Sequence, residues 1–252
     1  MTWLQRLVSV AVLASACTAA MAKDLVVLCA GAVKPVLSAL EPTWSARSGQ
    51  HLQVTYAPAG ELLARLAAGE QADIVIMPLE NLASIEKQGR TTASSRRDLG
   101  AVGIGVAVKQ GAALPDLSSE SGLKRALLDA RSVTFMDPTR GTSGRHFDEV
   151  VLPKLGIRDE VRAKAVLGEG GMIGEKVARG EVEIAFQQMT ELLPVAGIRI
   201  AGMLPPSLQK TTVYSGAVTT AYSSSAEAAE LLAFLVSAEA RSVFTAKGFA
   251  AP

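Results

Sequence analysis

The chain has 252 residues, with 25 Lys+Arg against 24 Asp+Glu and a formal net charge of +1. That balance gives no support for a nucleic-acid binder, which usually needs a concentrated basic surface. With 49% hydrophobic and 19% charged residues, the chain can bury a large core and is not intrinsically disordered, and its length suits one α/β domain or two small lobes.

Residues 1–6 carry one positive charge, residues 7–16 are apolar, and Ala20-Met21-Ala22 has the small-x-small form of a signal-peptidase site. Residues 1–22 therefore read as a secretory signal peptide, too short to persist as a membrane span. Leu13-Ala14-Ser15-Ala16-Cys17 also resembles a lipoprotein box, with Ala14 where leucine is usual. Anchoring through an acylated Cys17 is the lesser alternative. Cleavage after Ala22 removes only Arg6, leaving 24 basic against 24 acidic residues and Cys29 as the single cysteine. The expected mature protein is periplasmic and soluble, with no internal disulfide and no thiolate metal cluster.

Residues 25–30 read as a strand buried on both faces. Residues 35–47 repeat Val36, Leu37, Leu40 and Trp44 at helical spacing, and Pro42 is expected to interrupt that helix or end it early. Residues 52–56 alternate as a strand, and 60–68 form a helix stopped by Gly69. Residues 72–77 are a second buried strand, and 79–88 a helix ended by Gly89. A glycine-bearing strand follows over 101–108, then a helix over 123–130 and a strand over 132–136. A helix over 143–155 carries Phe147, Val150, Val151 and Leu155 on one side. A short strand (165–167), a helix (171–179) and a strand (183–186) come next. A β-branched strand (211–220) leads to one long amphipathic helix (225–247), with N-caps offered by residues 223–225 and Gly248 behind it. Strands alternating with helices, several of them continuously apolar, predict mostly parallel sheets covered on both faces. Two groups of β-α units on either side of 101–108 predict two lobes, with strand ends lining the cleft between them.

Three segments follow a strand and open a helix: 30–34, 57–61 and 137–146. Their small residues let a ligand approach the backbone, and helix-start N–H groups attract anions. Candidate ligand-binding residues are Gly31, Ala32, Ala59, Gly60, Arg140, Thr142, Ser143, Gly144 and Arg145. Of the two forked cations Arg145 is favoured, because Arg140 lies earlier in the loop. Gln187 and Gln188 end a buried strand, and adjacent strand residues face opposite ways, so one of them should reach the cleft. The Gly168-Glu169-Gly170-Gly171 run lacks a dinucleotide fingerprint and reads as a flexible loop. Two histidines and one mature cysteine cannot build a transition-metal site. Phosphate-loop, nucleophile-elbow and zinc-peptidase motifs are absent, and no cofactor is expected.

LCAGAVKPVLSAL (28–40), YAPAGELLARLAAGEQADIVIM (56–77), TRGTSGRHF (139–147) and EIAFQQ (183–188) resemble the periplasmic solute-binding proteins related to molybdate-binding proteins. The resemblance spans residues 24–249. It implies a type II periplasmic-binding fold, α/β in class, with two lobes closing on a ligand by hinge motion. Lobe 1 would be 23–97 plus 204–252 and lobe 2 would be 98–203. It also implies a small anionic ligand, a permease of an ABC-type transporter as partner, and a monomer. Molybdate-binding relatives use a serine in each of the first two loops and a tyrosine on the late strand. Those positions here correspond to Ala32, Gly60 and Phe186, so an organic carboxylate is expected in preference to molybdate. The same branch resembles periplasmic aconitate isomerase, which implies an alternative: isomerisation of an unsaturated tricarboxylate, with His146 or Glu61 as acid/base.

Overall fold

A computed structural model describes residues 24–221 and 225–252. The expected signal peptide, its alternative lipid site at Cys17 and Lys23 lie outside the described residues.

The first half alternates strand and helix as its apolar periodicity requires: β1 (Leu25–Ala30), α1 (Lys34–Ser48), β2 (Leu52–Ala57), α2 (Ala59–Ala67), β3 (Ile74–Pro78) and α3 (Leu79–Lys87). A 3-10 turn (Gly31–Val33) links β1 to α1. Pro42 does not end α1; the helix runs through it and stops at Gly49, whose φ of 74° is the left-handed cap glycine tolerates. Proline costs one hydrogen bond, whereas burial of Val36, Leu37, Leu40 and Trp44 holds both sides of it in place.

The second half comprises β4 (Arg97–Lys109), α4 (Glu120–Asp129), β5 (Val133–Phe135), α5 (Thr142–His146), α6 (Leu152–Leu155), α7 (Arg158–Arg162), α8 (Gly174–Ala178), β6 (Ile184–Gln188), α9 (Met189–Leu192) and β7 (Ile198–Met203). The single helix expected over 143–155 widens into a π turn at Phe147–Val151, where Leu152 N–H donates to the Phe147 carbonyl. Pro153 has no N–H to continue the ordinary ladder there. The strand expected at 165–167 is reduced to isolated bridges, Val133 to Ala165 and Met136 to Gly168. Strand β7 has no counterpart among the elements expected from sequence.

The chain returns through β8 (Thr211–Val218) to α10 (Ser225–Leu235) and α11 (Ala238–Ala246). The long helix expected at 225–247 is broken because Ser237 leaves the helical backbone (ψ 160°) and caps α11, its hydroxyl accepting from Ala240 N–H.

The strand order is β2-β1-β3-β8-β4-β6-β5, with β7 also on β4. Ladders β1–β2, β1–β3 and β5–β6 are the expected parallel ones. Every antiparallel ladder contains β4 or β8. Strand β4 pairs β8 over Arg97–Gly103 and then β6 over Ile104–Val108, so one strand serves both halves. The cores divide at the same place: Leu99 and Val102 pack with β1, β3 and β8, whereas Ile104, Val106 and Val108 pack with Phe135, Phe147 and Phe186. Leu204 and Leu208 belong to the second core, so the packing of that half extends past residue 203. Gln209 marks the return, its side chain accepting from Ile104 N–H at 2.8 Å and donating to Ile104 O at 3.0 Å.

The helical segment after β5 is anchored by Asp148, whose side chain is 1% exposed and binds Arg158 at 2.6 Å and Arg162 at 2.5 Å. Burial alone would raise this carboxyl, but the hydrogen bonds and charges of the two arginines outweigh it and hold it below the usual carboxylate range. A depressed folded value means the stabilisation is complete above the ordinary aspartate value of about 3.9 and is lost as pH falls through the lower folded value. Urea denaturation should therefore find Asp148→Asn less stable than wild type by about 2 kcal/mol at pH 7, with the gap closing toward strong acid. A gap independent of pH would contradict the ion-pair account.

Candidate functional site

A cavity of about 510 Å³ opens where the two halves face each other. Its walls come from the carboxyl ends of β1, β2 and β6, where open α/β sheets place ligands. From the first half come Gly31, Ala32, Lys34, Tyr56, Ala59 and Glu61. From the second come Arg140, Thr142, Ser143 and the loop 168–173. Gln188, Glu191 and Tyr214 lie at the base, next to the strands that serve both halves.

The structure brings together most of the sequence-derived candidates. Gly31, Ala32, Ala59, Arg140, Thr142, Ser143 and Gln188 line the cavity. Arg145 does not: it is exposed and donates to the Pro138 carbonyl at 3.2 Å. The favoured forked cation is therefore the other one, because α5 starts at Thr142 and turns residue 145 outward. Arg140 folds back from the loop onto Glu61, Nη2 to Oε2 2.7 Å, and its buried Nε has no hydrogen-bond partner. Gly60 lies at the seam, its N–H donating to the Arg140 carbonyl at 3.0 Å across the cleft. A Cβ at Gly60 would stand 2.8 Å from the Thr139 carbonyl oxygen. Gly144 packs under Met136, where a Cβ would run into that residue's carbonyl oxygen.

Gln187 supports the site from behind. Its amide donates to Gly171 O at 2.7 Å and accepts from Ile173 N–H at 3.0 Å, which holds the glycine-rich loop over the cavity. That loop, expected to be a flexible loop lacking a dinucleotide fingerprint, supplies Gly168, Glu169, Gly170 and Gly171 to the wall. Phe186, which the resemblance aligns with a tyrosine of molybdate-binding proteins, stacks on Phe147 at 4.3 Å in the second core and does not line the cavity. His146 Nε2 lies 2.8 Å from the Leu208 carbonyl, outside the cavity. Glu61 lines it but is bound by Arg65 and Arg140. Neither expected acid/base candidate is a free group facing the chamber. Among the described residues, no three His, Cys, Asp or Glu side chains gather as a metal site.

The group missed from sequence is Glu191. It lies at the base beside Gly31, where a Cβ would come within 2.9 Å of Oε1. No Lys, Arg or His among the described residues forms an ion pair with it. Burial pushes its carboxyl up to about 8, a hydrogen bond from Gln187 opposing only part of the effect. Tyr214 sits next to Glu191, Thr142 and Gln188, and burial pushes its phenol up strongly. Lys34 lies 5.5 Å from the centre of the Tyr56 ring, and the facing wall carries Lys176, Glu169 and the Glu175–Arg179 pair.

Two α/β halves, crossing strands shared between them and a polar chamber at their junction define the type II periplasmic-binding fold. The chain belongs to the bacterial extracellular solute-binding protein family, which it matches over residues 25–250. It is similar to an aconitate isomerase from a Pseudomonas species, with 34% identity over 221 residues, covering 86% of this chain and 83% of the relative. In structure it is similar to the periplasmic molybdate-binding protein of Azotobacter vinelandii, with a TM-score of 0.77 and 20% identity over 91% of this chain and 100% of that one. It is also similar to the sulfate-binding protein of Mycobacterium tuberculosis, with a TM-score of 0.73 and 14% identity over 90% of this chain and 83% of that one. The family is an extracellular one, in keeping with the export expected from sequence. Among the described residues, no helix is long and apolar enough to cross a membrane.

Proposed function

We propose that the cleft captures a small organic anion carrying several carboxylates and that the protein, as a periplasmic monomer, delivers it to an ABC-type permease. The observation that carries this reading is the wall chemistry: Lys34 and Lys176, neither in an ion pair among the described residues, and Arg140, bound to Glu61, line a chamber of about 510 Å³. That volume falls in the range of organic-ligand pockets, about 300–1,000 Å³. A bare tetrahedral oxyanion would leave most of it unfilled. Ala32 and Gly60 also bring no hydroxyl to such an ion. The Arg140 guanidinium, which lines the chamber, is a planar fork suited to a carboxylate.

Calorimetry with molybdate, sulfate, succinate, citrate and the two aconitates tests the reading. A tricarboxylate should bind at least about 100-fold tighter than molybdate, equivalent to about 2.7 kcal/mol. Tighter molybdate binding, or no heat from any carboxylate, would reject it.

A second reading, that the bound tricarboxylate is also isomerised, is supported by the similarity to an aconitate isomerase and by the acid without an ion-pair partner at the cavity base.

A further inference from the structure

We infer that Glu191 is the residue that moves the proton when an unsaturated polycarboxylate is isomerised in this cleft, an inference that rests on the second reading above. Three features of its placement support the assignment. Glu191 reaches the chamber from α9, the short helix that follows β6, and Gly31 opposite has no side chain to cover it. The other lining acids are otherwise placed: Glu61 is bound by two arginines, Glu175 pairs with Arg179, and Glu169 stands exposed at the rim. Lys34, Arg140 and Lys176 are set on the walls, so the cations that would hold the ligand's carboxylates are separate from the group at the base.

The chemistry closes without a cofactor. The Glu191 carboxylate forms an O–H bond as the ligand's methylene C–H bond breaks. The electron pair spreads over the allylic carbons and the adjoining carboxylates. The new O–H bond then breaks as the proton is delivered to the former vinylic carbon. The double bond has moved by one place, and Glu191 is again ionised. A base works best when its ionisation lies near the working pH, and burial places this carboxyl there. The wall cations stabilise the negative charge that develops on the ligand.

The test uses trans-aconitate in D2O followed by NMR. Wild type should convert trans- to cis-aconitate, with deuterium entering the new methylene to the extent that the proton held on Glu191 exchanges with D2O before delivery. Glu191→Gln should still bind trans-aconitate within about threefold by calorimetry but lose exchange and isomerisation by about 10²–10⁴-fold. Glu191→Asp should restore part of both rates, which a purely structural defect would not. Full exchange by Glu191→Gln would overturn the assignment. Binding without isomerisation in wild type would also overturn it, while leaving the capture reading intact. Absence of trans-aconitate binding in wild type would remove both.

Discussion

Gly60→Ala should weaken ligand binding by about 100-fold while leaving the unliganded protein as stable as wild type or slightly more so. The two effects have separate origins. Gly60 lies in the first turn of α2, where alanine is intrinsically better than glycine by up to about 1 kcal/mol. The penalty falls on the arrangement in which the lobes touch at this seam. The new methyl would stand 2.8 Å from Thr139 O and 3.1 Å from Arg140 O. Both are backbone atoms of the opposite lobe, with no flexible end to swing aside. The N–H of Gly60 would also be drawn away from the Arg140 carbonyl. Ligand that binds between the lobes must then work against an arrangement biased open. Calorimetry with trans-aconitate beside a ligand-free melt reads both quantities. Unchanged affinity would mean that this seam is not formed in the liganded state.

Gly144→Ala should do the opposite: it should damage the fold first. Helix propensity again favours alanine, but here packing overrides it. The added methyl has nowhere to go, because the Met136 carbonyl at the end of β5 already occupies its place. Relief requires moving α5 off the sheet, and with it Thr142 and Ser143. Overpacking of this kind costs about 3 kcal/mol, which for a chain of this length lowers the melting temperature by about 6–12 °C. Differential scanning calorimetry measures it directly, and a melting temperature within a degree of wild type would refute the close contact.

These two glycines and Arg145 show what sequence could and could not convey about the site. The segment 137–146 was legible as a ligand-facing loop because small residues and hydroxyls gather at a helix start. Which side chains turn inward depends on where the helix begins. With Thr142 as the first helical residue, Arg145 points to solvent and Arg140 folds onto Glu61. Gly60 read as a ligand contact, yet it serves as the place where the lobes touch. Glu191 gave no local signal at all. In the run Gln188-Met189-Thr190-Glu191-Leu192 it looks like an ordinary helix-surface acid, and only tertiary packing against Gly31 encloses it. Tyr214 was hidden likewise within a β-branched strand whose register alone brings it to the chamber.

The fold was more legible than the site, because apolar periodicity is a property of many residues at once. The misses have local causes. Pro42 was outweighed by the burial of its helix on both sides. Ser237 capped a new helix where periodicity continued unbroken. Strand β7, interrupted by Gly202 at φ 146°, lacks the continuous apolar run that marked its neighbours.

The sharing of β4 between the two sheets has a consequence for how the molecule fails. Its hydrogen bonds to β8 and to β6 lie on one uninterrupted backbone of 13 residues. Neither half can lose its sheet without stripping partners from the strand that also completes the other. The two cores, though separate in composition, therefore form one cooperative unit. Damage under α5 should therefore lower the melting of the distant β1–β2 edge together with its own.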